Sequence, residues 1–151
     1  MNITADTVPL VYDQIGKILT DQGDPTDLVG ISCIARGADS VFAQAVLDAG
    51  GRLEVVLPST NYRDRKVKPD HADLFDELIA RADTVRVMEF DDAGREAYEA
   101  ANEAMLSSCD RLVAVWDGES GAQGGTGTVV ELARTRGVPV EIVWPHGAER
   151  A

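Results

Sequence analysis

The sequence predicts a mixed α/β fold, a doubly wound and mainly parallel β-sheet flanked by helices. The predicted strands are continuous apolar runs, a pattern typical of parallel strands that helices cover on both faces. Between these runs, apolar residues recur at the spacing of amphipathic helices. Strand and helix segments alternate along the chain, and ligands of such open sheets bind beyond the carboxyl ends of the strands.

Five segments are predicted as strands. The third alternates more than the others (Val85, Arg86, Val87), so we expect it nearer an edge of the sheet. The predicted strands span residues 28–34, 53–57, 84–90, 112–116 and 138–144.

Five helices are predicted between or beside these strands. The first has Thr7 as its expected N-cap and Pro9 in its first turn, where the missing N–H of proline is harmless. Gly50 and Gly51 suit the C-terminus of the second helix. The predicted helices span residues 8–19, 39–49, 70–82, 92–108 and 126–136, and the connection 59–69 has no pattern.

The chain opens almost directly on a helix, whereas a doubly wound sheet usually begins with a strand. Either the N-terminus is truncated or wrongly started, or the sheet does without that strand, and we favour the first explanation. The length of 151 residues predicts one domain spanning residues 1–151 with a sizeable core. The usual first strand of the fold is expected to be missing from it.

Composition limits the classes of function. No apolar segment is long enough to cross a bilayer and no leader pattern opens the chain, so a cytoplasmic protein is expected. The formal net charge of −12 repels nucleic acid at long range, which makes a nucleic-acid partner an unfavourable interpretation. It does not exclude a small phosphorylated ligand held by local N–H groups and arginines. Cys33 and Cys109 are expected to be small buried apolar residues.

The most informative segment is 124–131, Gly-Gly-Thr-Gly-Thr-Val-Val-Glu. It follows a predicted strand and opens a predicted helix, whose first N–H groups and dipole favour a bound phosphate. Glycines let the backbone approach a ligand closely, and threonine hydroxyls add donors. The alternative is a structural turn before a helix, and the segment matches neither a Walker A loop nor the dinucleotide fingerprint. The candidate phosphate-binding residues here are Gly124, Gly125, Thr126, Gly127 and Thr128, with Glu131 beside them.

Four strand ends, including the one that leads into this segment, are expected to meet at one rim of the sheet. After the first strand, Arg36 and Gly37 are candidates for binding a phosphate, although Arg36 is equally a solvated loop charge. Asp39 is expected to cap the following helix. After the fourth strand, Asp117 and Gly118 either contact ribose hydroxyls or close a turn.

The second strand end offers Tyr62 for stacking on a base and Arg63 for a phosphate, against the alternative of a mobile surface loop. For Arg65, Lys66 and Lys68 the surface alternative is preferred. Tyr98 and Asn102 share a helix face, and the amide of Asn102 needs a partner that a ligand or a backbone group supplies.

Some chemistry is set aside. His71 is expected to be a surface residue of a first helical turn and His146 a residue of the tail. No Ser-His-Asp pattern, nucleophile elbow or metal-ligand spacing is present, so neither a metal nor a cofactor is expected.

Two separated segments together resemble the SMF/DprA–LOG (SLOG) superfamily. The first is 31–39, Ile-Ser-Cys-Ile-Ala-Arg-Gly-Ala-Asp, with the strand up to Pro58. The second runs from Trp116 through the glycine segment to Glu131. The resemblance covers roughly residues 6–147 and implies a Rossmann-like domain that binds a nucleotide or a nucleotide derivative at its strand ends.

The glycine segment is similar to the LOG signature Pro-Gly-Gly-x-Gly-Thr-x-x-Glu, with Gln123 in place of proline. LOG enzymes cleave the N-glycosidic bond of nucleoside 5′-monophosphates, and the resemblance implies a catalytic role for Glu131. The supporting arginine of that family corresponds to Ala101 here, and Cys33 stands where relatives commonly carry glycine.

Three hypotheses follow. The first is a nucleotide-binding module of the SLOG type without assured catalysis. The alternative is a LOG-like phosphoribohydrolase, and whether the protein is an enzyme stays open. The third is DNA binding, which the net charge opposes and the basic segment 63–68 supports. A homodimer is expected under each of them, since superfamily members often pair through helices beside the site.

Overall fold

A computed structural model gives the structure of residues 2–119 and 125–151. The predicted strands and helices are all present, most of them slightly shorter than expected. The strands are β1 (Val29–Ser32), β2 (Arg52–Leu57), β3 (Thr84–Val87), β4 (Leu112–Val115) and β5 (Val140–Val143). The helices are α1 (Thr7–Thr20), α2 (Ala38–Asp48), α3 (Tyr62–Lys66), α4 (Pro69–Arg81), α5 (Arg95–Ser108) and α6 (Thr126–Thr135), and Pro25–Asp27 forms a 3₁₀ helix.

The strands pair in parallel, which confirms the predicted class of sheet. They form two hydrogen-bonded groups, β1-β2-β3 and β4-β5. Strand β3 lies at an edge of the first group, as its alternating pattern predicts, and all four of its residues are exposed.

Helices α2 and α4 cover one face of the three-stranded group. Leu53 and Val55 of β2 are buried there in a cluster with Ala43 of α2 and with Phe75 and Leu78 of α4. Helix α5 packs against β2 as well, and α6 packs against β4 and β5. In layered sheets of this kind the loops at the carboxyl ends of the strands form the rim where ligands bind.

Helix α1 packs against α2 and β5 through a second apolar cluster. Val11 and Ile15 are fully buried in it, together with Val143 at the end of β5. The expectation that Thr7 caps α1 is wrong, because Asp6 occupies the N-cap position and Thr7 is the first helical residue. The Thr7 hydroxyl instead accepts a hydrogen bond from the Glu149 N–H at 2.9 Å and so ties α1 to the C-terminal segment.

Within the described residues, none of the helices combines the length and the apolar character needed to cross a membrane.

Candidate functional site

The turn between β1 and α2 contains a strained residue. Ile34 has a φ of 48° and is fully buried, and it is the one non-glycine residue with positive φ in the described part of the chain. A β-branched residue avoids this conformation, which costs about 1–3 kcal/mol and persists only where the surroundings enforce it. The chain turns here from the buried strand toward the N-terminus of α2.

Buried polar groups enforce the Ile34 conformation. Its N–H donates to the Ser32 hydroxyl at 3.0 Å, and its carbonyl oxygen lies 3.1 Å from His71 Nε2. The Ser40 hydroxyl lies 2.7 Å from the carbonyl oxygen of Ala35 and 3.2 Å from that of Ile34. The expectation that His71 is a surface residue is therefore wrong: it is buried, in the first turn of α4.

Gly37 and Arg36 complete this turn. Gly37, with φ 91°, occupies the N-cap position of α2, and no side chain caps that helix. The expectation that Asp39 caps the helix is wrong, because Asp39 lies two residues after the N-cap and is a residue of the first helical turn. The guanidinium of Arg36 pairs with Asp70 at 2.6 Å, so it is not a free loop charge. It is also half-exposed and so stays accessible to a ligand.

The connection after β2 contains side-chain hydrogen bonds and a short helix, and its mobility stays a prediction. The Ser59 hydroxyl lies 2.8 Å from Asn61 Oδ1, and Asn61 Nδ2 donates to Asp92 at 2.6 Å. Helix α3, which the sequence pattern misses, follows at once. Arg63 on this helix donates from both Nε and Nη2 to the Asp76 carboxylate, at 2.9 and 2.7 Å.

Tyr62 is part of the core and does not present its ring to a base. Its side chain is buried, with its ring centroid 6.1 Å from Phe75 and 6.4 Å from Tyr98. Burial raises the pKa of the Tyr62 phenol above its ordinary range. The interpretation of Tyr62 as a stacking platform is therefore wrong, whereas Tyr98, which is 37% exposed, keeps part of its ring available.

Helix α5 contacts the residue that follows β1, Cys33. Met105 Sδ lies 3.8 Å from Cys33 Sγ, and the pKa of Tyr98 is raised by burial and, to a smaller extent, by the nearby Cys33 thiol. Burial is the main reason why the pKa of Cys33 is raised, so this thiol is not an activated nucleophile. Asn102 is half-buried between Tyr98 and Met105 along α5, and its amide has no hydrogen-bond partner among the described side chains and backbone.

The turn after β4 is closed by Asp117. Its carboxylate accepts a hydrogen bond from the Glu119 N–H at 3.0 Å and pairs with Arg150 at 2.5 Å. The N–H of Glu119 and then Arg150 lower the pKa of Asp117. Gly118, with φ 84°, makes the turn. Of the two interpretations of Asp117, the structure shows turn closure, and a contact with ribose stays a prediction.

Trp116 explains one of the glycines in the glycine segment. A Cβ atom on Gly127 would lie 3.3 Å from Cζ2 and 3.5 Å from Nε1 of the Trp116 ring. The indole N–H of Trp116 donates to the carbonyl oxygen of Glu119 at 3.0 Å. Close packing of the first turn of α6 against Trp116 therefore accounts for glycine at position 127, whether or not a ligand binds there.

The N-terminus of α6 has the form that the sequence predicts for an anion site. Gly125 is its N-cap, and no side chain caps it. The N–H of Thr128 bonds to the Gly125 carbonyl oxygen, but no described residue accepts from the N–H of Thr126 or Gly127. Gly124, also predicted to bind phosphate, lies outside the described residues.

Glu131 lies on the second turn of α6 with an exposed side chain. Its carboxylate makes no ion pair or hydrogen bond with a described residue, and its backbone oxygen accepts from the Thr135 hydroxyl at 3.0 Å. Across residues 2–119 and 125–151, no group of three or more His, Cys, Asp or Glu side chains has the arrangement of a metal site.

The start of α2 and the end of β4 share one part of the core. Ala38, the first residue of α2, and Val115, the last residue of β4, are buried in the same apolar cluster. The strands that lead into α2 and α6 therefore end close to a common core. Each of the two helix starts has the N–H groups and dipole that favour an anion, and Arg36 lies in the turn before α2.

Comparisons with solved structures support the fold. The chain is similar to DNA processing protein A (DprA) from Streptococcus pneumoniae, with a TM-score of 0.66 and 18% sequence identity over 95% of this chain and 47% of that chain. It thus spans about half the length of that protein, and the likeness confirms a Rossmann-like fold. A second match, to (E)-4-hydroxy-3-methyl-but-2-enyl diphosphate reductase, has 13% identity over 97% of this chain and 58% of that chain, and its TM-score of 0.27 carries no argument. Searches by sequence match neither a protein-family profile nor a curated protein.

Proposed function

We propose that this chain is a nucleotide-binding domain of the SLOG type, which holds a phosphate group of a nucleotide or nucleotide derivative at the N-termini of α2 and α6. The observation that carries the proposal is the pair of glycine N-caps, Gly37 and Gly125, each without a capping side chain and each following a parallel strand. The N–H groups at the two helix starts from which no described residue accepts a hydrogen bond favour a small anion despite the acidic surface. The DprA-like fold supports this assignment.

The proposed site extends from the phosphate along α5. Asn102 supplies an amide without a described partner, and the exposed part of the Tyr98 ring supplies an apolar edge. Arg36 contributes the cation, because a single contact to Asp70 leaves its Nε and Nη1 donors for a phosphate. We expect Arg63 to contribute less to phosphate binding than Arg36, because two of its nitrogen atoms already donate to Asp76.

The decisive variant is Gly125→Asp, with Gly125→Asn as its matched control. Gly125 has extended backbone (φ −77°, ψ −175°) that any residue adopts, and both Asp and Asn are favourable N-caps. The aspartate should therefore preserve or raise stability while placing a negative charge against the phosphate. We expect Gly125→Asp to weaken nucleotide binding about tenfold or more, the effect of a like charge near 4 Å in a partly shielded site.

Binding would be measured by titration calorimetry with inorganic phosphate and a panel of nucleoside 5′-monophosphates. The aspartate and asparagine variants would be compared at equal thermal stability. Equal nucleotide affinity of Gly125→Asp and the wild-type protein would show that the phosphate does not bind at the N-terminus of α6. Weaker binding by both variants to the same extent would show that the added side chain, rather than its charge, obstructs the site.

Hydrolysis of the N-glycosidic bond is the second candidate, and it depends on Glu131. The exposed, unpaired carboxylate on α6 favours it, because such a group can stabilise an oxocarbenium-like transition state beside the proposed phosphate position. The same nucleotides would be incubated with wild-type protein and Glu131→Gln, and free base would be detected by chromatography. Release that is unchanged in the variant would exclude Glu131 as the catalytic carboxylate.

A DNA ligand would rest on a different surface. Arg65, Lys66 and Lys68 are exposed on or beside α3, and none of them forms an ion pair with a described residue. The net charge of −12 opposes this interpretation. Filter binding with short DNA at low and high salt distinguishes it, since phosphate contacts by three cations give a steep salt dependence.

We also propose that residues 1–151 form one domain and that the protein associates as a homodimer. Size-exclusion chromatography with light scattering measures the mass in solution, and limited proteolysis shows whether the chain behaves as one domain.

A further inference from the structure

We infer that His71 is a positioning residue for the anion site: its buried imidazole fixes the turn between β1 and α2 through the carbonyl oxygen of Ile34. The inference rests on the proposed function and assigns to α4 a part in the site. No ligand contact by His71 is involved.

The first step is the assignment of the hydrogen atoms around the Ile34 carbonyl group. Ser40 has one hydroxyl hydrogen, and its shortest contact is 2.7 Å to the Ala35 carbonyl oxygen, against 3.2 Å to that of Ile34. Ser40 therefore donates to Ala35. His71 Nε2 lies 3.1 Å from the Ile34 carbonyl oxygen and 3.4 Å from the Ser40 hydroxyl oxygen, whose hydrogen is directed to Ala35, so we assign Nε2 as the donor to Ile34. The network thus requires the hydrogen on Nε2 of the imidazole.

The second step concerns what this hydrogen bond holds. Ile34 keeps a positive φ that a β-branched residue avoids, so the turn needs an external constraint. The Ser32 hydroxyl constrains the Ile34 N–H from the strand side, and His71 constrains its carbonyl oxygen from α4. The T-shaped contact of the imidazole with Phe75, at 6.3 Å between centroids, fixes the ring on α4.

The third step connects the constraint to the anion. Arg36 and Gly37 follow Ile34 within three residues, and Gly37 is the N-cap of α2. Asp70, which precedes His71 on α4, pairs with Arg36 on the outer side of the same turn. Two consecutive residues at the start of α4 therefore contact the turn: His71 holds its backbone from the buried side, whereas Asp70 contacts only the exposed side chain of Arg36. The orientation of the α2 N–H groups follows from the position of this turn.

The experiment compares His71→Leu with His71→Gln. Leucine fills the space without a donor, whereas glutamine carries an N–H donor near the position of Nε2. We expect His71→Leu to weaken binding of adenosine 5′-monophosphate about tenfold, the effect of leaving one buried carbonyl group without its donor. His71→Gln should restore most of that affinity. Leu19→Ala, a core truncation in the cluster around α1, controls for a general loss of stability.

A spectroscopic measurement accompanies binding. Long-range ¹H–¹⁵N correlation on the wild-type protein should show the hydrogen on Nε2 of His71 at neutral pH. Hydrogen exchange of the amides at 35–38 should accelerate in His71→Leu and remain slow in Leu19→Ala. If His71→Leu does not fold, Ser40→Ala releases the Ala35 carbonyl oxygen of the same turn and should also weaken binding.

The outcomes separate the two proposals. A wild-type protein that binds neither phosphate nor any nucleotide overturns the proposed function and this inference with it. A wild-type protein that binds, with equal affinity in His71→Leu, overturns the inference alone. Hydrogen on Nδ1 rather than Nε2 overturns it as well, and so does a loss in Leu19→Ala equal to that in His71→Leu.

Discussion

Replacing Asp70 by asparagine should strengthen anion binding while slightly weakening the fold. Asp70 and Arg36 pair at 2.6 Å through one nitrogen and one oxygen, with both side chains about half-exposed, at 50% and 56%. A pair so accessible to solvent contributes about 0.2–1 kcal/mol to stability. The variant should therefore lower the melting temperature by less than about 4 °C.

The expected gain in anion affinity of Asp70→Asn also comes from loss of the pair between Arg36 and Asp70. A bound phosphate competes with the Asp70 carboxylate for Arg36 and is repelled by it, and Asp70→Asn removes both effects. If the whole pairing energy becomes available to the ligand, affinity for a nucleoside monophosphate rises about two- to fivefold. Calorimetry at low ionic strength should show this gain, and high salt should abolish it, because screening weakens exposed pairs.

Asp76→Asn is a matched control on the same helix. Asp76 pairs with Arg63 at 2.7 Å, both side chains are again about half-exposed, and the change of charge is identical. If Arg36 alone serves the anion, Asp76→Asn leaves affinity unchanged; an equal gain would place Arg63 in the site as well. Weaker binding by Asp70→Asn would refute the competition and would mean that Asp70 orients Arg36 for the ligand.

Two further predictions concern the fold that carries the site. Gly30→Ala should lower the free energy of unfolding by about 2 kcal/mol, or about 4–8 °C in melting temperature, because the new Cβ would lie 2.6 Å from a methyl group of Val46. Gly16→Ala, whose new Cβ would have nothing within 4 Å, should instead stabilise α1 by about 0.5–1 kcal/mol. Equal effects of the two variants in thermal melts would contradict the close packing of α2 on β1. Tyr12→Phe removes the hydroxyl that donates to Asp48 at 2.5 Å, a bond that lowers the pKa of Asp48 and raises that of Tyr12. In urea unfolding, the free energy of unfolding of Tyr12→Phe should fall below that of the wild-type protein by a constant amount between about pH 4 and pH 10. The difference should disappear as Asp48 protonates in acid or Tyr12 ionises in alkali. A difference that persists in acid would show that it comes from packing rather than from this hydrogen bond.

The sequence predicts strands and long helices well because their signals are local. Continuous apolar runs identify β1, β2, β4 and β5, and the alternation of Val85 and Val87 identifies the edge strand β3. Helix α3 has no such signal, since Tyr62 is its one apolar residue among four charged ones. Its helical state follows from tertiary contacts, the burial of Tyr62 and the pair between Arg63 and Asp76, which a local pattern does not contain.

The buried network at the strand end was hidden for a related reason. Ile34 looks like the continuation of a strand, and no side-chain pattern predicts positive φ at a β-branched residue. The partner of His71 is a backbone carbonyl group 37 residues away, so residue types alone do not reveal the contact. A signal nevertheless existed: His71 stands four residues before Phe75 and seven before Leu78, which places it on the apolar face of α4.

The charges at the rim bear on how the proposed site would take up an anion in so acidic a protein. Three arginines near the strand ends are each paired with an aspartate: Arg36 with Asp70, Arg63 with Asp76, and Arg150 with Asp117. Paired in this way, they add little net positive charge, so long-range attraction of anions is weak. Affinity must then come mainly from the fixed N–H groups of α2 and α6, which act only on an anion already in place. We therefore expect the proposed site to discriminate by fit, binding a phosphate that carries further groups for the Asn102 amide and the Tyr98 ring more tightly than phosphate alone.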